Sequence, residues 1–262
     1  QPDIIEHFGN ADAVPQPPKR CLSRKAGIVR CCPNSYFLTP NSILKSHRLH
    51  AAGAHGVLAK NLGAVDEKRS QVFVPLHKAQ FRAAKHRHIA YDIVGRHIDD
   101  YDSIFVLSHF KGHPMGGFGG ALKNVSIGIA SSNGKRWIHS AGVAKDKWVE
   151  AEQDDFLESM AEADEAVISH MNGKMMYLNV MNRLSVDCDC FATPSEPDMH
   201  DIGVLSSFDP VALDQACVDL IHVAPDGASV TERIATRHGE HTLEYAEELG
   251  LGSRAYRLTV LE

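Results

Sequence analysis

The residues best equipped for chemistry lie together in Ser108–Asn124, which runs SHFKGHPMGGFGGALKN. His109 and His113 supply imidazoles that titrate near neutral pH or bind metal, and with Lys123 they are the candidate catalytic groups. Gly116, Gly117, Gly119 and Gly120 let backbone N–H groups approach a ligand closely. A helix starting just after them would turn its N-terminus, which favours anions, toward the same point. Lys123 and Asn124, in the first turns of that helix, would then meet a phosphate, carboxylate or carbonyl. This is not a Walker A loop, because no Gly-Lys-Ser/Thr closes it. Nor does Gly117-Phe118-Gly119 continue into the third glycine of Gly-x-Gly-x-x-Gly. The plainer alternative is a solvated glycine loop with surface histidines and lysines.

A second cluster, Asp187-Cys188-Asp189-Cys190, gathers potential metal ligands. Thiolates suit zinc, copper(I) or iron–sulfur chemistry. Cys188 and Cys190 alone fall short of a closed site, so His139, Asp198 or His200 would have to complete it. The alternative is a turn of buried thiols capped by aspartates. Cys217 falls on an apolar helix face, where a free thiol acts as a small hydrophobe. Asp214 lies off that stripe and faces either a site or solvent. Trp137 and Trp148 flank His139 and either cover a pocket or lie exposed in a linker.

These groups need elements to hold them. Ile104-Phe105-Val106-Leu107 is a continuous apolar run, which predicts a strand buried on both faces of a parallel sheet. The glycine segment then leads into a helix over about 119–130. Phe156, Met160, Ala163 and Val167 recur at helical spacing and predict a helix over 153–171. A strand is expected over 174–180 and another over 201–206. Asp209 and Pro210 then mark the N-cap and first position of a helix. A short helix over 242–249 stops at Gly250, and 254–261 makes a final edge strand. Strands alternating with helices predict a layered α/β fold, its sheet mostly parallel with helices on both faces, built as one domain or two lobes.

The chain of 262 residues is 44% hydrophobic and 23% charged, enough for a sizeable core. No apolar run reaches the ~18 residues that span a bilayer, and Gln1–Asn10 lacks the pattern of a signal peptide. Six cysteines without framework spacing predict a reducing, cytoplasmic setting. The net charge of −6 conceals a split. Residues 1–88 carry 14 Lys+Arg against 5 Asp+Glu, whereas residues 89–262 carry 13 against 28. That divides the chain into an atypical basic segment, 1–88, and an α/β domain, 89–262. The basic segment is a nucleic-acid-binding arm, a structural lobe, or a stretch translated in a shifted frame that rejoins between about Gln80 and Tyr91.

Leu107–Ser132, Val186–Cys190 and Asp201–Asp214 together resemble the domain of unknown function 362 family, from about Ile89 to the C-terminus. Members are often described as iron–sulfur centre proteins, and many carry a Cys-rich insert after the position of His139. Here Ala141–Glu150 contains no cysteine. More locally, the loop is similar to the cofactor segment of the nickel-pincer lactate racemases. That resemblance implies His113 as a general acid/base, Lys123, ten residues on, as a cofactor or anion anchor, and His139 as a metal ligand.

The expected function is an enzyme or redox protein that binds a small anionic ligand or cofactor at His109–Lys123. A metal ion or iron–sulfur cluster would sit near His139 or Cys188 and Cys190. A non-catalytic protein cradling a phosphate-bearing ligand is the alternative. Membrane and nucleic acid are not the expected partners, and the sequence leaves the cofactor and the oligomeric state open.

Overall fold

The apolar run at Ile104 forms a strand in which only alternate side chains, Ile104, Val106 and Ser108, are buried. Phe105 and His109 are half-buried and Leu107 is exposed, so the burial on both faces expected for this strand does not occur. The computed structural model describes residues 86–188 and 193–261, with the backbone of four strands that precede them.

In chain order the strands are β1 (Ile4–His7), β2 (Ile28–Cys31), β3 (His50–Gly53), β4 (Gln71–Pro75), β5 (Tyr91–Gly95) and β6 (Ile104–His109). They continue as β7 (Lys111–His113), β8 (Gly117–Gly119), β9 (Met175–Met181), β10 (Gly203–Ser207) and β11 (Tyr256–Val260). The helices are α1 (Ala121–Ile129), α2 (Ser132–His139), α3 (Gln153–His170), α4 (Pro210–Val223), α5 (Ala228–Thr236) and α6 (His241–Glu248).

Seven strands form one sheet in the order β1-β11-β2-β10-β9-β6-β3, while β4-β5 and β7-β8 are separate pairs. The large sheet is mixed rather than mostly parallel. β3, β6 and β9 run parallel, as do β2 and β10, but β9–β10, β2–β11 and β1–β11 are antiparallel. A parallel neighbour needs a long crossover, usually helical. Helices α1, α2 and α3 supply one between β6 and β9, whereas no helix lies between β9 and β10 among the described residues. β11 has neighbours on both sides and is not an edge strand.

The described helices that pack on the large sheet, α1 and α4, also pack on each other, so they share one face. Helices on both faces were expected. Asp209 caps α4 as its sequence predicts, accepting from the Ala212 N–H at 2.9 Å, with Pro210 in the first turn. Leu213, Ala216 and Cys217 then enter the main core.

Helix α3 packs against α1, α2 and α6 and is buried without a break from Phe156 to Val167. Its stripe Glu158, Glu162, Glu165 would face water on an ordinary surface helix. Here residues 86–89 lie along it. Glu162 accepts from the N–H groups of Arg87 (2.6 Å) and Ile89 (2.8 Å) and from the Tyr245 hydroxyl (2.9 Å). Glu158 pairs with Arg87 and His88, and Glu165 with His86. Apart from the strand backbones, residues 1–85 lie outside the described residues, and so do the three readings of the basic segment. Among the described residues no helix is long and apolar enough to cross a membrane.

Candidate functional site

Ser108–Asn124 folds as a tight hairpin rather than an open loop. From Lys111 to Gly120 only Pro114 and Met115 escape full burial. Its glycines answer to close packing. A Cβ on Gly112 would stand 2.4 Å from the Val186 carbonyl oxygen, and one on Gly120 would stand 2.4 Å from Asp214 Oδ1. Gly117 has φ +78° and lies against the backbone of Gly239. The N-terminus of α1, expected as an anion seat, is taken by the protein's own Asp214. That carboxylate accepts from the N–H groups of Ala121 (2.8 Å) and Leu122 (2.9 Å) and from Asn179 Nδ2 (2.7 Å). Asn124 closes the first turn through its backbone and turns its side chain toward Gly128.

Beside this hairpin lies a compact group of buried polar side chains. Lys111 and Lys123, only 2% and 8% exposed, come from β7 and α1. Gly119 lies between their stems: a Cβ there would meet Lys123 Cδ at 3.4 Å and Lys111 Cε at 3.8 Å. Lys111 Nζ donates to the His109 carbonyl at 3.1 Å. His113 Nδ1 accepts from the N–H groups of Met115 (3.2 Å) and Gly116 (3.0 Å), so a neutral ring carries its hydrogen on Nε2. Burial pushes the His113 pKa down to about 4, with the charges of Lys123 and Lys111 acting the same way. A hydrogen bond with the buried Cys188 opposes them.

His139, at the end of α2, has the opposite tautomer. Its Nδ1 donates to the Lys135 carbonyl at 2.6 Å, leaving Nε2 with the lone pair. Its ring packs between Trp148 and Phe156, at 4.7 and 4.8 Å between centroids. Burial lowers its pKa; the Lys135 bond opposes the shift and the Lys123 charge reinforces it.

The charge of Lys123 acts on both His113 and His139, and His113 contacts Cys188. The structure adds Lys111, which the sequence placed only in the loop. His109 stands apart: its Nε2 meets the Asn182 carbonyl at 2.7 Å and it lines a different cleft. Cys190 lies outside the described residues. His200 is turned to Asp226 at 2.8 Å, and Cys217 accepts from Asn179 in the core. Among the described residues no group of three or more His, Cys, Asp or Glu is placed to hold a metal.

Sequence reasoning also missed a set of buried acids. Asp92 is raised to about 7 by burial, and Asp164 is raised by burial and by the charges of Asp214 and Asp92. Asp92 Oδ2 has no partner among the described residues. The available signal was an aspartate inside the apolar strand sequence Tyr91–Gly95.

The family profile described as "Domain of unknown function (DUF362)" matches residues 34–219. The chain belongs to this family. The DUF362 match includes the hairpin, Lys123, His139, Cys188 and Asp214, and it begins well inside the basic segment. No curated protein and no solved structure compared with the chain matches it.

Proposed function

We propose that this DUF362 protein is an enzyme that holds a small anionic ligand or cofactor at Lys111 and Lys123 and uses His139 as the base that moves protons. The observation that carries the proposal is the convergence of two nearly inaccessible lysines on Gly119. Two lysine side chains from separate elements concentrate positive charge at one point, which favours an anion there. The histidines differ in role. Neutral His113 carries its one hydrogen on Nε2 and is bonded to Cys188, whereas neutral His139 offers a lone pair on Nε2. The charge of Lys123 acts on both, and a base near a bound anion suits proton abstraction at an adjacent carbon. The free thiols of Cys188 and Cys217 favour a reducing compartment, and we place the protein in the cytoplasm.

A nickel or iron–sulfur centre is less well served. Cys188 and His113 are two donors in contact, short of the set that a closed site needs, so the described residues do not fit such a group. No step is routed through one.

The test is thermal unfolding with phosphate, pyrophosphate and short dicarboxylates. At least one anion class should raise the melting temperature in a saturable way. Lys123→Met and Lys111→Met should fold, since an apolar side chain of similar volume replaces a buried charge. Each should weaken the anion effect about tenfold or more, the cost of losing one charged contact. An anion effect that survives both substitutions, or no effect across the panel, refutes the proposal.

A further inference from the structure

A cleft of about 490 Å³ opens at the carboxyl ends of the parallel strands β6 and β9. Leu107, Ser108 and His109 line it from one strand and Val180 from the other, and the segment after β9 contributes Arg183 and Ser195. Its size lies within the range of small-molecule pockets, and the carboxyl ends of parallel strands are where α/β sheets bind ligands. None of the residues grouped around Lys123 lines it.

Two features mark the cleft as built for a ligand. Arg183 has a left-handed backbone, φ +46°, held by the Asp201 carboxylate, which accepts from its N–H at 2.8 Å. A non-glycine residue kept in that region is strained, and here the strained residue lines the cleft. Leu107, Val180, Pro194 and Pro197 supply apolar walls.

We infer that this cleft is a second ligand site, taking a small carboxylate with an apolar body, its carboxylate on Arg183 and its body against Leu107 and Val180. Glu196 also lines the cleft. It separates two sources of the same chemistry, because an α-amino acid would place its ammonium against Glu196 and a plain carboxylic acid would not.

The experiment is calorimetric titration of the full chain with 3-phenylpropionate and L-phenylalanine. Saturable binding of at least one probe is expected. Arg183→Gln should weaken it about tenfold or more without moving the melting temperature, because Arg183 is exposed. Tighter binding of phenylalanine that is lost in Glu196→Gln identifies an amino-acid site; indifference to Glu196→Gln identifies a carboxylic-acid site. Lys123→Met should leave binding unchanged, which keeps this result separate from the anion site. No saturation with either probe up to tens of millimolar, or binding unaltered by Arg183→Gln, overturns the inference.

Discussion

Gly120 and Asp214 form one unit although they are far apart in sequence. The carboxylate reaches the first N–H groups of α1 only because residue 120 has no side chain. Gly120→Ala should therefore cost about 2 kcal/mol, the usual penalty for forcing a methyl into a packed site. Asp214→Ala leaves two helix N–H groups buried without their acceptor, takes one of two acceptors from Asn179 Nδ2, and should cost about 2–4 kcal/mol. Urea denaturation measures both, and a loss near zero for either would contradict the capping role. The sequence did not reveal this pairing. A glycine-rich turn before a helix has the same local pattern whether its N-terminus is open to a ligand or filled by a distant carboxylate.

Helix α3 makes the matching point for whole elements. Its apolar residues revealed the helix, but its acidic stripe had the signature of a solvated face. The strand of chain at residues 86–89 decides otherwise, because its N–H groups need acceptors and Glu162 supplies them on both oxygens. Glu162→Gln retains one oxygen and turns an NH₂ group toward the remaining donors. It should cost about 2–4 kcal/mol and speed hydrogen exchange at the Ile89 amide. Unchanged protection at Ile89 would show that the junction is held by other contacts. The β9–β10 pair is a parallel lesson. Both strands were visible as apolar runs, but their antiparallel direction follows from a connection without a crossover helix.

For the molecule as a whole, buried titratable groups set opposing pH dependences. Asp92, at about 7 in the fold against an ordinary 3.8, keeps a proton that the unfolded chain releases. Its contribution to stability therefore falls as pH rises through that window. His113, at about 4 against 6.5, refuses a proton that the unfolded chain takes up, so its contribution falls as pH drops from 6.5 toward 4. Asp92→Asn removes the first dependence alone. The melting temperature of the variant relative to the parent should climb between about pH 4 and pH 7 and then level off. A difference independent of pH would show that Asp92 is not held protonated in the fold.

The sequence by itself determined the α/β character, most of the helices and strands after residue 100, the N-cap of α4, and membership of the DUF362 family. These rest on periodicity, end signals and motifs, which are local. It also located the stretch holding His113 and Lys123. Only the tertiary structure decided that Lys111 joins them, that His109 belongs to another cleft, and that Asp214 closes the helix N-terminus. It likewise decided the opposite tautomers of His113 and His139. Each of these depends on which groups from separate elements share a space from which water is excluded. That is fixed by packing, and neighbouring residues along the chain carry no mark of it.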